Sequence, residues 1–273
     1  MIKKAILAVS FGTAHEDTRV KTIEAIEKDF ENEFSNFKIY RAWTSGIIIK
    51  KLRERGELFV DDMTFALKRM YKDGIEEVIV QPSHIINGVE NDNMLSAVRE
   101  SGSLFKKIIC SAPLLTSEND YSDVADAIHD IINSWEIEAA DENSIINSKE
   151  NAVLLMGHGS NHHANSAYAA LEYRLRDHGM ENIFIANVEA YPYIDNVIEK
   201  LEQKKYKKVI LAPFMIVAGE HVKNDMAGDD DDSWKNLLVK KGFEVHCILK
   251  GLGEYKSIRE IFIKHARESV QDL

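Results

Sequence analysis

Short runs of β-branched residues alternate with longer segments of helical period along the whole chain. That order admits few folds besides parallel sheets covered by helices. In the first half, residues 4–9 read as a buried strand, and 16–34 read as a helix whose Val20, Ile23, Ile26 and Phe30 share one face. Further strands are expected at 37–43, 77–81 and 106–110, with helices at 60–71, 91–100 and 121–133. The second half repeats the order, with strands at 152–156, 183–188, 208–211 and 244–248 and helices at 164–178, 193–204, 234–240 and 255–269. A polar, acidic stretch at 136–150 is the expected connector between an N-terminal α/β lobe, 1–135, and a C-terminal α/β lobe, 151–273.

Two pairs of segments indicate that the lobes are copies of one unit. Leu7-Ala8-Val9-Ser10-Phe11-Gly12-Thr13 aligns with Leu154-Leu155-Met156-Gly157-His158-Gly159-Ser160, and the stretch from Val78 to Glu90 aligns with that from Val209 to His221. Without gaps, Phe11 then corresponds to His158, Pro82 to Pro213, Glu90 to His221 and Asn93 to Asn224. Apolar strands resemble one another whatever their origin, so the shared Pro and Gly and the Asn pair carry the weight of this alignment.

Composition narrows the classes of function. With 45 Asp+Glu against 34 Lys+Arg, the formal net charge is −11, which argues against a duplex nucleic-acid partner, since such binding draws on clustered Lys and Arg. No apolar run approaches the roughly 20 residues of a membrane span, and no cleavable leader is evident, so a cytoplasmic protein without a membrane partner is expected. Cys110 and Cys247 are too few for a disulfide framework or a thiolate metal cage and are expected to be buried, reduced thiols. A bound metal must therefore rest on His and carboxylate. No Gly-Lys-Ser/Thr phosphate loop occurs, and Gly251-Leu252-Gly253 lacks the third glycine of a dinucleotide fingerprint, so no nucleotide is expected.

Ligands of parallel α/β sheets gather beyond the carboxyl ends of the strands. Three residues of the second half stand there: His158 after the first strand, Glu189 after the second and His221 in the loop after the third. Singly, each is an ordinary turn or loop residue. Together, two imidazole nitrogens and a carboxylate suit a first-row divalent ion and leave coordination positions open. Other candidates are weaker. His162 and His163 read as a solvated helix start, Asp229 to Asp232 as a loop capping the next helix, and Ser160 lacks the nucleophile elbow of a serine hydrolase.

At these residues the chain resembles the class II chelatases, specifically the anaerobic sirohydrochlorin cobaltochelatases of cobalamin biosynthesis, over nearly its full length. The resemblance rests on Ser10-Phe11-Gly12-Thr13, Gly88-Val89-Glu90-Asn91-Asp92, Gly157-His158-Gly159-Ser160 and the segment from Ala218-Gly219-Glu220-His221 to Asp232-Ser233-Trp234. It implies two similar α/β lobes with a tetrapyrrole between them. It implies metal ligation by His158, Glu189 and His221, and a proton-handling or substrate-orienting role for Glu90. For the shuttling of pyrrole protons Glu90 is the first choice, with His84 either a helper or a structural loop residue. Ser10, Phe11, Gly12, Thr13, His84 and Glu90 would then contact the macrocycle. Sirohydrochlorin is a polycarboxylate, which a chain of this charge repels at long range. Arg41 is therefore an expected partner of its acid groups, with Lys50, Lys51, Arg53, Arg55 and Lys223 as further candidates. The implied metal is Co²⁺ as substrate. Fe²⁺ or Ni²⁺ insertion and a non-catalytic tetrapyrrole or metal carrier are the alternatives, and homo-oligomerisation is implied without an interface motif.

Overall fold

All eight expected strands form, and they assemble into two four-stranded parallel sheets among the residues that the computed structural model describes, 2–135, 145–146 and 148–273. β1 (Lys4–Ser10), β2 (Lys38–Trp43), β3 (Glu77–Pro82) and β4 (Lys107–Cys110) run in the order β2-β1-β3-β4. β5 (Asn151–Gly157), β6 (Ile183–Asn187), β7 (Lys208–Pro213) and β8 (Glu244–Cys247) run in the order β6-β5-β7-β8. Strands covered on both faces need apolar side chains in both alternating positions. Accordingly β7 is buried throughout, and β1 and β5 are buried after their first residue.

The internal repeat extends to strand register. Val9 lies opposite Pro82 as Met156 lies opposite Pro213, and Ser10 lies opposite Trp43 as Gly157 lies opposite Asn187. The strand ends are tied alike. Ser83 N–H donates to Val9 O at 2.7 Å, and Phe214 N–H to Met156 O at 2.7 Å.

The helices are α1 (Glu16–Lys21), α2 (Ile23–Glu33), α3 (Gly46–Glu54), α4 (Met63–Lys72), α5 (Val89–Ser101), α6 (Glu118–Asn133), α7 (Ser166–Asp177), α8 (Ile194–Lys204), α9 (Trp234–Lys240) and α10 (Lys256–Gln271). The single helix expected at 16–34 is two. Thr22 leaves helical geometry at φ −121° and ψ −78°, while its hydroxyl donates to Thr18 O at 2.6 Å, a back-bond of the kind that bends helices. α3 occupies a segment where the pattern gave no element. Its Ile47-Ile48-Ile49 run favours strand by propensity, but Ser45 caps the helix by accepting from Ile48 N–H.

The compact units are not consecutive halves. One unit comprises Met1–Thr116 with Lys256–Leu273, and the other Ser117–Tyr255. α6, expected in the N-terminal lobe, packs against α7 in the second unit, with Arg174–Glu118 at 3.2 Å and His178–Asp126 at 3.2 Å. α10, expected in the C-terminal lobe, packs on α2 and β3 of the first unit. There Arg259 meets Asp29 at 2.6 Å and His265 Nδ1 lies 3.1 Å from Ala112 O. Of the expected connector, 136–144 and 147 lie outside the described residues. Each unit has its own core. Leu7, Val9, Leu67, Met70 and Val80 are central to one, and Leu154, Met156, Phe184, Leu211 and Leu238 to the other. Among the described residues, no helix is long and apolar enough to cross a membrane.

Candidate metal centre

The turn after β5 shows why its sequence is Gly157-His158-Gly159. A Cβ on Gly157 would collide with Asn187 Oδ1 and stand 2.8 Å from the Tyr168 ring. Gly159 has φ +81°, and a Cβ there would lie 2.8 Å from Asn187 Cβ and 2.9 Å from the Ala190 nitrogen. The two glycines let this turn press against the end of β6, and His158 projects between them. The neighbouring turn follows the same path. Val188 N–H donates to Gly157 O at 3.1 Å and Glu189 N–H to His158 O at 2.8 Å. Asn165 joins the two loops, accepting from Ser160 N–H at 3.0 Å and donating to Tyr191 O at 2.7 Å. Tyr168 packs beneath against Phe214, and burial pushes its hydroxyl up to about 12, so it is a neutral packing group at this site.

His221 enters from the loop after β7. Ligand atoms of His158, Glu189 and His221 all lie within 4.8 Å of one another. The imidazoles meet edge to face with centroids 4.9 Å apart, and His158 Nδ1 is 3.8 Å from Glu189 Oε2. The side chains of His158 and Glu189 are 41% and 59% exposed, so solvent reaches the centre and a substrate can approach it. The structure thus brings together the three residues expected at the strand ends. His162 instead serves the backbone, its Nδ1 accepting from Ala164 N–H at 3.1 Å. The Asp229–Asp232 run is a capping loop, in which Asp229 and Asp231 pair with Lys235 and Lys240 and Ser233 caps α9. Cys110 and Cys247 are free and half-buried, and burial pushes Cys110 up to about 11.

The same three backbone positions exist in the first unit, with different side chains. Ser45 N–H donates to Phe11 O at 3.2 Å, as Glu189 does to His158. Glu90 stands as far beyond Pro82 as His221 beyond Pro213. Phe11, Ser45 and Glu90 therefore replace His158, Glu189 and His221, and a phenyl ring and a capped hydroxyl cannot hold a divalent ion. Phe11 is 46% exposed, while Glu90 Oε2 is shielded and has no hydrogen-bond partner among the described residues.

Several expected substrate contacts are engaged within the protein. The Ser10 hydroxyl meets that of Ser83 at 2.8 Å, Thr13 Oγ1 accepts from His15 N–H at 3.2 Å, and both residues are buried. Gly12, at φ +102°, lies against the Trp43 ring. Arg41, in β2, is engaged by α2: Glu27 takes its guanidinium in a two-oxygen grip and Glu24 adds a contact at 3.4 Å. Burial raises the Glu27 carboxyl and the Arg41 pairing opposes that rise. His84 is buried, and burial pushes it down to about 4, with the Asn91 side chain acting the other way. It is a neutral imidazole at pH 7 and a poor proton store. Asp225 also touches the centre, through His221. Its i, i+4 spacing was the available signal.

The described residues form two α/β units of like strand order, one of them bearing an open His/Glu/His centre. SirB from Bacillus subtilis, solved with Fe³⁺, has the same fold, with a TM-score of 0.67 and 14% identity over 98% of this chain and 96% of that one. The family profile described as Cobalt chelatase (CbiK) matches residues 4–271, and the chain belongs to that family. The sirohydrochlorin cobaltochelatase of Salmonella typhimurium is 36% identical over 98% of this chain and 97% of its own length. The sirohydrochlorin cobaltochelatase CbiKC of Nitratidesulfovibrio vulgaris is 29% identical over 100% and 93%.

Proposed function

We propose that this chain inserts Co²⁺ into sirohydrochlorin with release of two protons, without a nucleotide, in anaerobic cobalamin biosynthesis. The observation that carries the reading is the convergence of His158, Glu189 and His221 on one point at the carboxyl ends of a parallel sheet. Three donors leave positions free on the ion, so the macrocycle nitrogens can bind before the protein lets go. The ion's charge near the ring favours loss of the pyrrole protons. Glu90 is the residue for those protons: it is a carboxylate at the position that supplies a ligand in the other unit, and its shielded oxygen has no hydrogen-bond partner among the described residues. Phe11, exposed on the adjacent turn, offers an apolar face to the ring. Lys51, exposed in the last turn of α3, is a further source of a cation for the substrate's acid groups.

Purified protein mixed with excess sirohydrochlorin and Co²⁺, Fe²⁺ or Ni²⁺ in parallel should form metallated product well beyond its own concentration, and fastest with cobalt. Product that stops at one equivalent would make the chain a carrier, and a faster rate with iron or nickel would change the metal. His158→Ala and His221→Ala should each abolish most insertion while leaving the unfolding midpoint near that of the wild type, since both side chains are substantially exposed. Glu90→Gln should slow turnover by about 10²–10⁴-fold, the usual range for a proton-transfer group, with cobalt affinity retained. Cobalt affinity lost to the extent seen in the His variants would make Glu90 a ligand instead.

A further inference from the structure

His221 opens a wide π-type turn over Val222–Met226, and a side chain four residues further along such backbone returns to the same face. Asp225 Oδ2 lies 2.5 Å from His221 Nδ1. A carboxylate accepts, so Nδ1 is the donor of this bond, and Nε2 is the ring nitrogen left to face an ion. The backbone beneath Asp225 is fixed on both sides. Lys223 N–H donates to Gly219 O at 3.0 Å, Ala227 N–H to Val222 O at 3.2 Å and Gly228 N–H to Asn224 O at 2.9 Å. Asn224 Nδ2 also donates to Glu220 Oε1 at 2.9 Å. The other imidazole is oriented by different means: His158 Nδ1 lies 3.0 Å from the Gly159 carbonyl oxygen, again an acceptor, which leaves its Nε2 to the ion.

We propose that Asp225 is a positioning residue for the metal centre. By accepting the Nδ1–H of His221 it fixes that ring's plane and tautomer, turns Nε2 toward the ion and makes the imidazole a stronger donor, while staying out of the coordination sphere itself. The two histidines are then unequal. One is set by a carboxylate on its own turn and the other by a backbone carbonyl, so Asp225 is the adjustable element of the centre. This inference rests on His221 being a cobalt ligand.

The test is a titration of the full-length protein with Co²⁺ alone, followed by the visible absorption of the bound ion, together with insertion rates against cobalt concentration at saturating sirohydrochlorin. Asp225→Ala should weaken cobalt binding about 10- to 100-fold, as loss of a carboxylate behind a ligating His does, and should raise the half-saturating cobalt concentration by a like factor. Its kcat at saturating cobalt should fall much less. Asp225→Asn, whose amide oxygen still accepts from Nδ1–H, should recover most of the affinity and leave the absorption spectrum of the bound ion unchanged. Unaltered affinity in Asp225→Ala would overturn the proposal. So would an Asp225→Asn variant as weak as Asp225→Ala with an altered cobalt spectrum, the behaviour of a direct ligand. Unaltered cobalt affinity in His221→Ala would remove the ligand assignment itself, and that result is separate from either Asp225 outcome.

Discussion

Gly159 decides where His158 points, and Gly12 occupies the same place in the first unit. Both have positive φ, and both lie against the last residue of the neighbouring strand, Asn187 in one case and Trp43 in the other. The two substitutions to Ala should therefore separate stability from function. Each should lower stability by at least about 1–2 kcal/mol, the cost of placing an L-residue in left-handed geometry, measured by denaturant unfolding. Only Gly159→Ala should also weaken cobalt binding. His84 gives a prediction in pH. Its folded value of about 4 lies below the 6.5 of an exposed imidazole. Between those values the unfolded chain takes up a proton that the folded chain refuses, so stability is full above pH 6.5 and declines as pH falls toward 4. The loss approaches about 3 kcal/mol when both states are charged. His84→Gln should flatten this part of the stability profile, and an unchanged slope would show that His84 is not its source. At this scale the sequence displayed ligand types and spacing, but it did not display which polar side chains were already engaged. Nothing in the sequence shows that Ser10, Thr13 and Arg41 are engaged by Ser83, His15 and Glu27.

Among elements, the strands were the most legible, because strands buried on both faces are written as unbroken apolar runs. The helices were less so. The break at Thr22 depends on a hydroxyl turning back to Thr18 O, which leaves the periodicity intact, and α3 is disguised by three consecutive isoleucines. The start of α6 is explicit. Ser117 Oγ accepts from Asp120 N–H at 3.3 Å, and Asp120 Oδ2 accepts from Ser117 N–H at 2.6 Å. Removing this reciprocal cap with Ser117→Ala should cost about 1 kcal/mol of stability and leave cobalt affinity unchanged, as read from paired denaturant and cobalt titrations.

At the level of the whole molecule, the repeat was visible in the aligned Pro, Gly and Asn positions, but the destination of the helices was not. Sequence order carries no mark of which sheet an amphipathic helix covers, and α6 and α10 each pack with the unit that holds the other half's strands. Deleting Lys256–Leu273 should therefore expose the core of the first unit to protease while Ser117–Tyr255, which contains the whole centre, still binds cobalt. The two units differ at the corresponding positions, since one backbone plan carries His158, Glu189 and His221 in one unit and Phe11, Ser45 and Glu90 in the other. The most direct test is anomalous diffraction at the cobalt edge from crystals of the full chain soaked in Co²⁺. A single strong peak bonded to His158, Glu189 and His221 is the predicted result. A fully occupied peak bonded to other residues, with these three side chains unligated, would contradict it.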